Sequence, residues 1–180
     1  HVKHFDTLTY ADKNKISTQM AARNLRYAWF KKLLIKSSAK YLAIAHHAND
    51  DVETFFINLV RGSGLKGFLG IKEKNNAIVR PLLLVSRLEI EQYLKERDIV
   101  FREDSSNASV KYLRNKIRHE LMPLLAQMNT SIQQTVKDEM RILEDVAQVY
   151  AAKVEEVRKD LTQEKNGIVQ FEISALLALN

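Results

Sequence analysis

The stretch YLAIAHHANDDVETFFINLV, residues 41–60, decides the fold. Tyr41 to Ala45 is a short apolar run that ends abruptly in polar residues, which suits a buried strand of a parallel sheet better than a turn of helix. Asn49 or Asp50 can cap a following helix, Asp51 to about Val60, whose Phe55, Phe56, Leu59 and Val60 supply an apolar face. Strand, polar loop and helix make half of an α/β unit. In open α/β sheets ligands bind outside the carboxyl ends of the strands, so His46, His47 and Asp50 stand where chemistry is expected.

The flanking segments extend this pattern. Upstream, the spacing predicts a helix from Ser17, its N-cap, to about Lys36, with Met20, Leu25, Trp29 and Leu33 on one side and Arg23, Arg26 and Phe30 on another. Downstream, RGSGLKGFLG, residues 61–70, places four glycines close together. That loop suits either a phosphate-cradling nest or a connector, and it lacks the residue order of a P-loop. Val79-Arg80-Pro81 is expected to be extended, because proline disfavours helix at the residue before it. Ser86 and Glu89 match a capping box that opens a helix to about Arg97. An extended piece, Ile99 to Arg102, leads into the polar loop EDSSNAS. YLRNKIRHELMPLL, residues 112–125, reads as continuous helix, with Leu113, Ile117 and Leu121 on one side. Residues 130–160 read as a long helix, and GIVQFEIS as a small strand.

Composition narrows the function classes. With 46% hydrophobic and 28% charged residues the 180-residue chain is typical of a globular protein. No apolar run approaches the roughly 20 residues that span a bilayer. The absence of cysteine removes disulfides, thiolate zinc sites, iron–sulfur clusters and thiol nucleophiles from the described chain. HVKHFDTLTY lacks the layout of a secretory signal, so a cytoplasmic location is the expectation. Residues 1–125 hold 22 Lys+Arg against 13 Asp+Glu, while residues 126–180 hold 6 against 9. A basic excess confined to the first two-thirds suits nucleic acid or nucleotide phosphates as well as a solvated surface.

The candidate site residues each carry two readings. His46 and His47 lack the companions of a metal site, and a histidine beyond a strand can cap, pack or hydrogen-bond a phosphate. Asp50 can cap a helix or orient a reacting amine. Glu53 and Thr54 complement the helix dipole and stand near the crevice. Arg114 and Arg118, at i and i+4, can hold phosphate oxygens together, and Lys111 shares their side of the helix.

Taken in order, HHANDDVETFFINLVRGSGLKG, with MAARNLRYAWF before it and RPLLLVSRLEIEQYL, EDSSN and YLRNKIRHELMPLL after it, resembles the tRNA(Ile)-lysidine synthetases over roughly residues 15–130. That family belongs to the N-type ATP pyrophosphatases, or PP-loop proteins. The resemblance implies an α/β fold, an incomplete parallel-sheet nucleotide-binding domain like the adenine nucleotide alpha hydrolases, followed by a helical region. By it, residues 1–80 are a partial PP-loop domain, 81–128 the mostly helical remainder of the catalytic region and 129–180 a helical appendage. It implies that ATP and Mg²⁺ serve to adenylate the wobble cytidine of an isoleucine tRNA with a CAU anticodon, and that L-lysine displaces AMP to give lysidine. It implies His46, Asp50 and Arg118 as catalytic residues, and Arg26, His46, Arg61, Gly62 and Gly64 as ATP contacts. Lys111, Arg114 and Arg118 become tRNA contacts, with no resident metal ligand, no membrane association and a homodimer left open. The family's S-G-G-x-D-S loop has no counterpart here, so the chain is expected to be an incomplete form, inactive alone. Two alternatives stay open: a related tRNA-thiolating enzyme and a non-catalytic RNA-binding module.

Overall fold

Short polar side chains set the first helix starts. In the computed structural model, which describes residues 1–102, 113–171 and 173–178, Asp6 accepts a hydrogen bond from the Thr9 amide and opens α1, Thr7–Asn14. Ser17 accepts from the Met20 amide and opens α2, Thr18–Lys36, as its sequence predicts. Leu25, Trp29 and Leu33 of α2 are half-buried, and Phe5 meets Trp29 edge to face. Met20 is 50% exposed and leaves the expected stripe.

The chain divides into two compact units, the first made of residues 1–46 and 72–84 and the second of 47–71 and 85–180. The first unit holds α1, α2 and a three-stranded sheet: β1, Leu42–Ala43, β2, Lys74–Asn75, and β3, Ile78–Val79, in the order β1-β3-β2. β1 and β3 run parallel, with Leu42 opposite Ile78. β2 and β3 form an antiparallel hairpin whose turn uses Asn76 at φ +53°. Tyr41 to Ala45 was expected to be fully buried, and it is not. Among the described residues β1 pairs with β3 alone, and only Leu42 and Ile44 are half-buried while Tyr41, Ala43 and Ala45 are exposed.

The second unit begins with α3, Ala48–Arg61, and α4, Gly64–Phe68, followed by α5, Arg87–Glu96, which carries the Ser86 and Glu89 capping box. After the undescribed residues come α6, Leu113–Lys116, a π-helical turn at Ile117–Leu121 and α7, Met122–Met128. α8, Ile132–Leu161, is followed by the hairpin β4, Thr162–Lys165, and β5, Ile168–Phe171, and by α9, Ile173–Leu177. The core is Val52 of α3 with Val136 and Met140 of α8, joined by Phe55, Phe56, Met122 and Ile132.

Several expectations change here for physical reasons. α3 starts three residues early because His47, not Asn49 or Asp50, is its N-cap, and Leu59 and Val60 are exposed while Val52 and Ile57 are buried. The helix of residues 112–125 is not continuous. Pro123 has no N–H to give the carbonyl four residues back, and the ladder widens just before it, with the Met122 amide donating to Ile117 C=O. Ile99–Arg102 pairs with no described strand. GIVQFEIS is a strand only to Phe171. Its partner β4 was unread, although Asn166 and Gly167, at φ +55° and +75°, are the residues a two-residue hairpin turn demands.

The glycine-rich loop is a packed connector with its own short helix. Gly62 ends α3 in the left-handed conformation at φ +68°. Gly70 is more constrained, because at φ +63° a Cβ would overlap both the Asp51 carboxylate and the Met140 methyl. Gly70→Ala is therefore expected to lower stability by about 2–3 kcal/mol in urea unfolding, from backbone strain plus overpacking. A loss under about 1 kcal/mol would mean that the loop moves aside freely.

Candidate active site

The first turn of α3 gathers the chemistry of the second unit. The Asp50 Oδ2 accepts the His47 backbone N–H at 3.1 Å, so Asp50 caps the helix from inside, three residues beyond the N-cap. Its other oxygen faces Arg118 Nη2 at 3.6 Å and Arg114 Nη1 at 4.0 Å. One turn on, Glu53 is only 2% exposed. Its two oxygens accept from Arg118 Nε at 2.6 Å and Arg118 Nη2 at 3.0 Å, the forked geometry that guanidinium and carboxylate favour. Arg114 Nε lies 3.7 Å from Glu53, and Arg114 Nη2 donates to the Thr54 hydroxyl at 3.0 Å. Thr54 in turn donates to the Asp50 carbonyl at 2.7 Å.

Two carboxylates thus meet two guanidinium groups. The hydrogen bond to Glu53 first, and the Glu53 and Asp50 charges behind it, push the Arg118 pKa further up against the desolvation of its half-buried position. Arg118 is a permanent cation here. Beside it lies a cavity of about 200 Å³, lined by the polar side chains of Glu53, Arg118, His47, Asn49, Gln133 and Arg87 and by the apolar Val52 and Met122. Asn49 donates to Gln133 at 3.0 Å and accepts from the Arg87 amide at 2.9 Å, which fixes the polar wall. The His47 Nε2 is 3.5 Å from Asp50, and its Nδ1 is buried without a hydrogen-bond partner. This space is below the usual size of a nucleotide pocket and fits a small polar group.

The other expected site residues fall elsewhere. Arg61, Gly62 and Gly64 sit at the far end of α3, about 16 Å along its axis from Asp50 at 1.5 Å per residue. A single phosphate does not bridge the two ends. Arg26 and His46 belong to the first unit, where Arg26 is exposed on α2 and His46 accepts from Arg80 Nε at 3.0 Å. Arg80 also donates to the Lys72 carbonyl, which pins its side chain across the hairpin. Lys111 lies outside the described residues, as does EDSSNAS.

Sequence reasoning had undervalued three residues. Glu53 looked like a dipole partner, and its position three after Asp50, on the same helix face, was the available signal. His47 looked interchangeable with His46, and Arg80 was read only for its backbone.

Among the described residues no three His, Asp or Glu side chains gather to hold a metal ion, and both carboxylates of the cluster are turned on guanidinium groups. The described residues do not fit a resident metal. Among the same residues, no helix is long and apolar enough to cross a membrane.

A family model described as PP-loop domain matches residues 2–125. The chain belongs to the PP-loop domain family. This membership implies the adenine nucleotide alpha hydrolase-like α/β fold, and the small mixed sheet with its helices is consistent with that fold. The chain is 44% identical over 158 residues to a tRNA(Ile)-lysidine synthase of Bacteroides thetaiotaomicron, a match covering 88% of this chain and 37% of the relative. A Porphyromonas gingivalis protein of the same name is 44% identical over 162 residues, covering 89% of this chain and 36% of its own. A Thermosipho africanus tRNA(Ile)-lysidine synthase is 41% identical over 145 residues, covering 81% and 33%. This PP-loop chain therefore spans about a third of the length of these relatives.

Proposed function

We propose that this PP-loop chain belongs to an enzyme that uses ATP, brought with Mg²⁺ on its own phosphates, to activate the wobble cytidine of an isoleucine tRNA bearing a CAU anticodon, and then joins L-lysine to it. The observation that carries the reading is the cluster of Asp50, Glu53, Arg114 and Arg118 opening on a small polar cavity. The relatives' shared name supports the same reaction.

The chemistry asks two things of these side chains. Adenylation develops negative charge as pyrophosphate leaves, and a fixed guanidinium beside the reacting phosphate stabilises that charge more in the transition state than in the ground state. Arg118, locked by Glu53, is pre-oriented for this and loses little freedom on binding. The second step needs the lysine amine to be held and to lose its proton before it attacks the cytidine ring. Asp50 is the more accessible of two buried carboxylates, with its side chain 13% accessible against 3% for Glu53. Asp50 is therefore the group we assign to orienting the amine and accepting its proton. We assign Arg26, His46, Arg61, Gly62 and Gly64 to ATP on the family resemblance alone.

The reading is tested with the full-length gene product, ATP, Mg²⁺, labelled lysine and isoleucine tRNA. Label should enter tRNA whose wobble base is cytidine and not a tRNA with uridine there, and AMP should be released in equal amount. Sulfur transfer, or RNA binding without either product, would replace the reading with one of its alternatives. A sharper test lies at Asp50. Asp50→Asn keeps an acceptor for the His47 amide and removes the charge, so the melting temperature should stay within a few degrees while lysine incorporation falls by about tenfold or more. An unchanged rate would confine Asp50 to capping.

A further inference from the structure

We infer that Arg80 is a positioning residue for His46: its guanidinium holds the imidazole with the proton on Nε2, so that the ring meets an ATP phosphate as a neutral hydrogen-bond donor. This rests on the reading that His46 contacts ATP, and gives the form in which the ring does so.

The parallel pairing of β1 with β3 brings the two side chains together. Leu42 stands opposite Ile78 and Ala43 opposite Val79, and the ladder runs one step further, with the Ile44 amide donating to the Val79 carbonyl at 2.9 Å. The same register sets Arg80 beside Ile44, and His46, two residues on, faces the same side by alternation. The Arg80 backbone is itself held, its N–H donating to the Glu73 carbonyl at 2.9 Å. His46 and Arg80 are both half-buried, and both belong to the first unit.

The chemistry of the pair assigns the ring's proton. An arginine side chain only donates hydrogen bonds and stays protonated in proteins. The nitrogen that Arg80 Nε meets at 3.0 Å, His46 Nδ1, is therefore the acceptor, and the one proton of the neutral ring lies on Nε2. A proton on Nδ1 would set N–H against N–H, so the contact excludes it. With its lone pair spent on Arg80, this histidine has none left to act as a general base. What it offers is one N–H, and a hydrogen bond from that group to a phosphate oxygen strengthens as charge develops there. Bracing the β2–β3 hairpin needs only the other bond of Arg80, to the Lys72 carbonyl. The bond to Nδ1 is the part that a structural role does not require.

The test joins a spectrum to a rate. In this 180-residue chain with ¹⁵N-labelled histidine, the His46 ring signals, assigned by their loss in His46→Gln, should show Nε2 protonated and Nδ1 unprotonated. The Nδ1 signal should be displaced by the Arg80 hydrogen bond, and Arg80→Met should abolish that displacement. In the full-length gene product with ATP, Mg²⁺ and isoleucine tRNA, Arg80→Met should lower kcat for cytidine adenylation about tenfold or more, less than the loss of the donor itself. His46→Gln, whose amide nitrogen takes the place of Nε2, should keep more of the rate than His46→Asn, whose amide takes the place of Nδ1. In a His46→Ala background Arg80→Met should add less than about twofold, since a residue that acts through the ring has nothing left to position. Circular dichroism melts establish that each variant is folded. If Arg80→Met does not fold, Arg80→Lys takes its place, keeping the charge and losing the fixed fork. A protonated Nδ1 in the original chain would overturn the inference, and so would the full tenfold loss in the His46→Ala background. Absence of adenylation by the unaltered enzyme would instead overturn the tRNA reading.

Discussion

Glu53→Ala is expected to cost about 3–5 kcal/mol of folding stability, the range for removing one partner of a buried ion pair. Glu53 is 2% exposed and holds Arg118 through two hydrogen bonds, so the truncation leaves a half-buried guanidinium with Asp50, 3.6 Å away, as its nearest remaining carboxylate in the cluster. Glu53→Gln is the control. Its amide oxygen can accept one of the two Arg118 hydrogen bonds and it fills the same volume, so about half of the loss should return. Urea unfolding of both variants measures this directly. A loss below about 1 kcal/mol for Glu53→Ala would show that water or a side-chain shift solvates Arg118, and would demote the pair from a structural anchor to a surface contact.

Legibility in the sequence followed the range of the interactions. Where a local device decides the outcome, the residues announced it: Ser17 and Ser86 capped the helices expected of them, and the apolar run at Tyr41 to Ala45 became a strand paired in parallel. Even so, its burial was misjudged, because the number of neighbours a strand has is a property of the sheet. The first turn of α3 was ambiguous for another reason. His47, Asn49 and Asp50 can all cap, and the choice fell to His47 once Asp50 could reach back to its amide. The cluster itself was half visible. Arg114 and Arg118 were readable as a pair from their spacing, but their partners lie some 60 residues earlier in the chain. Nothing in a helical period says which distant helix will face them. Glu53 could be chosen over other acids only after α3 and the π-helical turn were packed together. The hairpin at Asn166 and Gly167 was a local signal that the reading of a single strand passed over.

Arg118→Ala should reduce cytidine adenylation by the full-length gene product about 10²–10³-fold, the usual effect of removing a donor that stabilises developing charge. The same change leaves Glu53 buried without its fork, so slow turnover alone would not distinguish chemistry from damage. Two comparisons separate them. Arg118→Lys keeps the charge on a flexible stem and loses the fixed fork, so stability should recover in part while the rate stays well below the original. The double variant Glu53→Leu with Arg118→Met removes both charges and keeps volume, which for buried pairs is often near neutral in stability. If Arg118 contacts the reacting phosphate, that double variant folds well and remains inactive in a single-turnover assay at saturating ATP. If Arg118 only braces α3 against the turn at Ile117–Leu121, activity returns along with stability. In that case Arg114, whose side chain is more exposed at 39% against 20%, is the arginine of the cluster left to meet the leaving pyrophosphate.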